Sequence, residues 1–400
     1  MPKTEDGLFP LDKKGRASPV KQFDALLFAA VVTVTAAGYY YLYIVRPTFD
    51  GVHGLTDANM SRQLASIVIG IVAALFLSSV DYRYYEIPSY IGYIASVVLL
   101  FVTAMYGAGV LSTGNKAWIT ILGVNFQPSE LAKITFVVVI SAFFERVAQK
   151  SATKWDYVKL VFYSALPVGL VQMQKDTGTA LVFIFVFAVM FYVSGVKYRY
   201  IFMLFSAALV SLPVLWTFFM RDVQKMRVMV FLNPELDKSN TGYQPSLARA
   251  AIGAGELFGS SAENPMLNKF SIVPARHTDF IFTVIAEKTG FVGSVALIAL
   301  YVFILLRCFY IASKAHSKYG SFMATGLAAM LMFHFIENIG MCIGIMPITG
   351  IPLPFVSYGG TAMITNLVAI GIILSVSVTR DAPGALVALK DAPRPAPRLK

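Results

Sequence analysis

Ten long apolar runs divide this chain, at roughly 23–45, 62–80, 88–107, 128–148, 157–174, 178–195, 198–219, 280–306, 320–346 and 358–379. A helix needs about 20 mostly apolar residues to cross a bilayer. Within lipid every backbone N–H and C=O must find its partner inside its own helix or in a closed barrel. Barrel strands would alternate in polarity over about ten residues, whereas these runs are apolar on all sides. The expected fold is an all-α integral membrane protein with ten transmembrane helices. Composition agrees: 57% hydrophobic residues, 14% charged and a mean hydropathy of +0.67 exclude the soluble globular classes.

The first run has no A-x-A-like site after it and exceeds the apolar part of a cleaved signal, so it is expected to remain as the first helix. Cys308 and Cys342 lie in or beside different runs without CxxC spacing, which reads as two buried small hydrophobes rather than a disulfide or a metal site. The net charge of +11 does not imply nucleic acid, because no basic and aromatic recognition module accompanies it. The cations sort by side instead. With a cytoplasmic N-terminus, that face gathers Lys13, Lys14, Arg16 and Lys21, then Arg146, Lys150 and Lys154, then Lys314 and Lys318, and finally Arg394, Arg398 and Lys400. The opposite short connections carry Arg46, Arg62, Lys116 and Lys175. This asymmetry predicts both termini in the cytoplasm and places 220–279, between the seventh and eighth helices, as a long extracytoplasmic loop.

The chain therefore divides into a cytoplasmic tail at 1–22, one membrane domain at 23–380 that includes the loop, and a Pro/Ala/basic cytoplasmic tail at 381–400. Both tails read as disordered tethers or lipid-surface contacts. Without an internal repeat, a transporter built from inverted repeats is not favoured.

Polar residues gather in four places, and ionisable groups near membrane segments usually mark function. In "TGNKAWITILGVNFQPSELAK", Lys116 lies in a short outer connection, Pro128 suits a first helical position, and Glu130 and Lys133 share a helix face. That pair is either a local ion pair at a helix start or part of a polar cluster lining a cavity. In "QMQKDTGTALVF", Asp176 is placed to cap the sixth helix through Gly178 or Thr179. The loop 220–279 carries Arg221, Lys225, Arg227, Arg249, Lys269 and Arg276; these are either a solvated run or cations for an anionic lipid-linked substrate. Its glycines Gly253, Gly255 and Gly259 are a weak phosphate-cradle signal. In "MPITGIPLPFVSYGGTAMITN", three prolines forbid regular helix, and Ser357 is placed to cap the last helix. "ARHTDFIF" sets His277 and Asp279 before an apolar run, where Asp279 reads first as a helix cap. No serine or cysteine nucleophile motif accompanies them. His334, three residues before Glu337, reads as an interhelical hydrogen bond rather than a metal ligand.

Together, "GNKAWITILGVNFQPSELAK", "QKDTGTALVF", "FLNPELD", "PARHTDFIFTVIAEKTGFVG" and "PITGIPLPFVSYGGTAMITN" resemble the SEDS family, the RodA/FtsW peptidoglycan glycosyltransferases, from about 23 to 380. The loop "PITGIPLPFVSYGG" is similar to the RodA, or elongation, branch. Two stretches depart from the family: Lys175 and Thr177 stand where Pro and Leu are usual, and "FGSSAEN" replaces a Gly-Lys-Gly stretch.

The resemblance implies polymerisation of lipid II into β-1,4 glycan strands at the outer face of the cytoplasmic (inner) membrane during cell elongation, with undecaprenyl pyrophosphate leaving. It also implies a class B penicillin-binding protein, a transpeptidase, as partner. Asp279 matches the family's essential aspartate; Glu130, Lys133 and Asp176 match its conserved polar positions; Arg227 matches the basic position before "FLNP". Lys116, Arg276, His277 and Ser357 complete the expected substrate-binding set. Asp279 is expected to act as a general base or to hold a divalent cation (Mg2+ or Mn2+), the one cofactor this chemistry invites. The competing functions are a lipid II flippase, a division-type FtsW role and a scaffold for the transpeptidase.

Overall fold

The computed structural model describes residues 23–45, 55–107, 115–121, 124–214, 216–217, 220–237, 243–260 and 276–378. The expectations for both tails and for Lys269 and Arg46 lie outside the described residues. Helices α1 (Ala25–Val45), α2 (Asp57–Ser79), α3 (Glu86–Tyr106), α4 (Pro128–Ala148), α5 (Lys154–Met173), α6 (Thr177–Val193) and α7 (Tyr198–Val214) precede two shorter ones in the long loop, α8 (Asp222–Leu232) and α9 (Tyr243–Ala254). Then come α10 (Ile281–Ser313), α11 (Lys318–Ile343) and α12 (Gly360–Val378). Among the described residues, α1, α2, α3, α10, α11 and α12 are long and apolar enough to cross a membrane. The chain is a multi-pass helical membrane protein.

One feature departs from an all-α reading and another from the expectation of a plain loop. A small antiparallel hairpin, β1 (Ile119–Ile121) and β2 (Val124–Phe126), precedes α4, with Thr120 opposite Asn125. Their hydroxyl and amide side chains bond at 2.9 Å. Three-residue strands inside a polar stretch leave no alternating pattern long enough to read. The long loop, for its part, is largely helical where it is described.

Local signals set the helix starts. Pro128 occupies the first turn of α4, Thr153 and Asp156 form a reciprocal capping box on α5, and Ser317 caps α11 by accepting from Gly320 N–H at 3.0 Å. Helices α4, α11 and α12 are central, through Phe136, Ile140, Phe144, Met323, Leu327, Met330, Ile370 and Leu374, all buried. Outer faces of α2 and α3 leave Val68, Val72, Phe76, Ile91 and Ile94 more than half exposed; these are the surfaces a bilayer would cover. Helix α2 lies closely along α12, because a Cβ on Gly371 would fall 2.6 Å from the Cα of Ala74; small residues permit that approach in membranes.

Helix α10 is broken. Gly290 has φ 65° and ψ −161°, a conformation that only glycine adopts readily. The N–H groups freed by the break do not go unpaired: Phe291 donates to the Glu256 carbonyl at 2.8 Å and Val292 to that of Leu257 at 3.1 Å. Ser260 N–H in turn donates to the Glu287 carbonyl at 3.0 Å. The segment 255–260 thus replaces the missing helical bonds, so the broken stretch keeps these backbone groups paired.

Candidate active site

Two non-helical stretches meet at one end of the helices: 276–280, leading into α10, and 346–359, joining α11 to α12. Polar side chains fasten them. Asn338 of α11 donates to the carbonyls of Asp279 and Ile351, both at 2.8 Å. Ser357 donates to the Thr278 carbonyl at 2.6 Å and accepts from Leu353 N–H at 2.8 Å. Tyr358 N–H donates to the His277 carbonyl at 2.8 Å, and the two rings meet edge to face at 5.8 Å. Gln63 of α2 clamps the far side, donating to the Ser357 carbonyl at 3.3 Å and accepting from Gly359 N–H at 3.1 Å.

The backbone of Asp279 is held in this way while its carboxylate faces Gly350. A Cβ built there would come 3.4 Å from Oδ2, and Gly350 has φ 77°. The Asp279 carboxyl is pushed up to about 6, chiefly by burial, with the Thr278 side chain and the Arg227 charge opposing and Asp176 adding to the rise. Arg227 of α8 donates to the Ile348 carbonyl at 3.2 Å. Burial lowers its value, and the nearby charges of Asp279 and Asp176 act against that. Arg276 is lowered by burial too, opposed by Glu287.

Asp176 joins this group from α6. Its carboxylate accepts from Thr179 N–H at 3.2 Å, from Thr179 Oγ1 at 2.8 Å and from Gln127 Nε2 at 3.4 Å. Burial raises its value, partly offset by those Thr179 bonds and by Lys133. The capping expectation is met through Thr179. Lys116 lies nearby through its backbone, donating to the Gln174 carbonyl at 2.9 Å.

Glu130 and Lys133 pair at 2.8 Å, and Lys133 Nζ also reaches His334 Nε2 of α11 at 3.0 Å. All three are about 2% exposed, so the pair at the start of α4 is part of a buried polar cluster. His334 is indeed an interhelical contact. Through Lys133, Asp176, Arg227 and Asp279, a run of alternating charges extends from between the helices to these two non-helical stretches. Among the described residues no three His, Cys, Asp or Glu side chains converge into a metal cage.

Three expectations change. Asp279 does not cap α10: Phe280 holds the cap position and no side chain caps it, which leaves the carboxylate for other contacts. Ser357 spends its hydroxyl on Leu353 and Thr278 rather than on α12. Gly255 and Gly259 are packing positions rather than a phosphate cradle, since a Cβ on either would strike the carbonyls of Ala286 or Lys288 within 2.2 Å. Gln127, Asn338 and Gly350 were missed as site residues. An asparagine inside the apolar run of α11 was the available signal for one of them.

The chain matches the FtsW/RodA/SpoVE family, described as "Cell cycle protein", over residues 24–382. It is 36% identical to the peptidoglycan glycosyltransferase MrdB of Escherichia coli (strain K12), across 80% of this chain and 86% of that one. It is 28% identical to the peptidoglycan glycosyltransferase RodA of Treponema pallidum, across 90% and 99%. A solved peptidoglycan synthase complex, studied for the coordination of polymerization and crosslinking, superposes with a TM-score of 0.75 at 30% identity over 90% of this chain and 98% of that one. The rod shape determining protein RodA of Thermus thermophilus does so at 0.66 and 29%, with the same coverage. This chain is a member of the FtsW/RodA/SpoVE family.

Proposed function

We infer that this protein is a peptidoglycan glycosyltransferase of the elongation type, polymerising lipid II into β-1,4 glycan strands at the outer face of the cytoplasmic (inner) membrane. The single observation that carries the site assignment is the Asp279 carboxylate, backbone-held, unused as a cap, raised to about 6 and within the field of Arg227. In this reading ten helices span the membrane, both termini are cytoplasmic, and 220–279 lies outside. The partner is a class B penicillin-binding protein, a reading supported by the similarity to a synthase complex. The likeness to MrdB and the "PITGIPLPFVSYGG" loop favour elongation over division.

The acceptor sugar hydroxyl attacks the anomeric carbon of the donor. The new C–O bond forms as the bond from that carbon to the diphosphate oxygen breaks, and the electron pair leaves on undecaprenyl pyrophosphate. Asp279 takes the hydroxyl proton; a base with a value near working pH serves best. The departing phosphates need cations rather than an acid, which Arg227 supplies, assisted by Arg276. Glu130, Lys133 and Asp176 set the field around these groups. Lys116, His277 and Ser357 border the acceptor and donor sugars, Ser357 through the shape of its loop. A divalent cation would be held by Asp279 together with substrate phosphates and water, the manner in which magnesium usually binds.

The test is fluorescent lipid II with the full chain in nanodiscs, read as polymer on a gel. Wild type yields glycan strands and Asp279→Asn yields none. Normal polymer from the variant would end the general-base assignment. Exhaustive chelation separates the metal-assisted reading, which predicts a lost rate.

A further inference from the structure

A second arginine shares a wall with Arg227. A cavity of about 30 Å³ opens between α8, α9 and the turn after α11, lined by Arg227, Phe231, Arg249, Gly344, Met346 and Ile348 among others. Arg249 lies flat over Gly344: a Cβ there would be 3.1 Å from its Cδ and 3.3 Å from its Nη1. Gly344 is also the left-handed residue ending α11, with φ 82°. Both the turn and the arginine therefore require glycine at this point, and the guanidinium is laid along the cavity.

Among the described residues neither arginine has a carboxylate in direct contact. Among the described residues, Arg227 bonds only to the Ile348 carbonyl, and no carboxylate oxygen comes within 4.0 Å of it; Arg249 has no hydrogen bond or ion pair. Two guanidinium groups on one small cavity repel each other unless an anion lies between them, and their planar forks match phosphate oxygens. One is half-buried and bonded to the loop that faces Asp279; the other is exposed and stands at the rim.

We propose that Arg249 and Arg227 form a two-guanidinium clamp for a lipid-linked diphosphate. Arg227 takes the phosphate that leaves the anomeric carbon, and Arg249 takes the distal phosphate next to the polyprenyl chain. The clamp rests on the glycosyltransferase reading above, and it makes the site selective for diphosphate over monophosphate. A single cation would discriminate little between the two.

The experiment uses the full chain in nanodiscs, titrated with farnesyl diphosphate and farnesyl monophosphate and corrected for empty discs. Wild type binds the diphosphate more tightly. Arg249→Gln weakens diphosphate binding by about tenfold or more while the monophosphate changes little, and Arg249→Lys restores part of it. In polymerisation the same variant raises KM for lipid II more than it lowers kcat. If Arg249 only steadies the end of α11, Arg249→Gln lowers the unfolding temperature and leaves the diphosphate preference intact; that result overturns the clamp. Loss of polymerisation in wild type, with the preference intact, would strike the glycosyltransferase reading and spare the clamp.

Discussion

Replacing Asp279 by Asn should abolish polymerisation and stabilise the protein at the same time. Moving a carboxyl from 3.8 to about 6 corresponds to about 3 kcal/mol against the ionised form, at about 1.4 kcal/mol per tenfold. Part of the Asp279 surface stays open, so this is an upper figure. The sign follows from linkage. The folded state binds this proton more tightly than the unfolded chain, so the group's contribution to stability is fully present below about pH 4, is lost as pH rises through about 6, and is flat above. Asparagine has the same shape and no charge at any pH. Thermal unfolding of both proteins in nanodiscs should therefore coincide near pH 4 and separate with rising pH, Asp279→Asn being the more stable by at most about 3 kcal/mol above pH 7. Wild-type polymerisation, measured over the same range, should fall on the acid side with an apparent value near 6. An asparagine variant less stable than wild type at pH 7, or a gap that ignores pH, would show that the ionised carboxylate is well satisfied, and the base would have to be sought elsewhere.

Asn338→Ala strips the donors from the Asp279 and Ile351 carbonyls; at about 1–3 kcal/mol per buried orphan, unfolding should cost roughly 2–6 kcal/mol less, and polymer yield should drop. Gly350→Ala forces a positive φ on alanine, about 1–2 kcal/mol, and sets a methyl 3.4 Å from Asp279 Oδ2; kcat should fall more than stability. Lys133→Met leaves Glu130 charged and buried, a loss of about 3–5 kcal/mol in thermal unfolding, and adding Glu130→Gln should recover much of it. Gly290→Ala places a Cβ 2.4 Å from Gly259 N and 2.6 Å from the Leu257 carbonyl carbon, so limited proteolysis should show 255–260 released and polymerisation lost.

Much of the helical plan was legible because lipid imposes one rule on every segment: an apolar run must satisfy its own backbone. Asp176 capping through Thr179, Pro128 opening α4 and the buried cysteines follow from equally local rules. Asp279 was locally ambiguous, because a polar residue before an apolar run is also what a cap looks like; only the structure shows that Phe280 takes that position. The Glu130–Lys133 pair was visible at i,i+3, yet its depth was not, since burial depends on His334 arriving from a residue about two hundred positions away. Gly255 and Gly259 carried two meanings in sequence, close packing and phosphate contact, and only the partner at Ala286 and Lys288 decides between them.

The break at Gly290 explains why segment 255–260 and the Asp279 carboxylate belong to one unit. Had α10 run straight, the N–H groups of Phe291 and Val292 would have bonded within the helix, and nothing would tie 255–260 to it. With the break, the half-helix Ile281–Thr289 is tied to Ser260 through the Glu287 carbonyl, and the half that follows is tied to Glu256 and Leu257 through Phe291 and Val292. Asp279 stands at the opposite end of that half-helix, where Asn338 and Ser357 secure the stretch to α11 and to the proline-rich loop. Its position is therefore fixed from two sides by groups that take no part in the proton transfer. Helix α9, which carries Arg249, ends at Ala254 and runs directly into 255–260. A load on 243–260 is thus transmitted through one short backbone path to the half-helix behind the carboxylate and to Arg249 together.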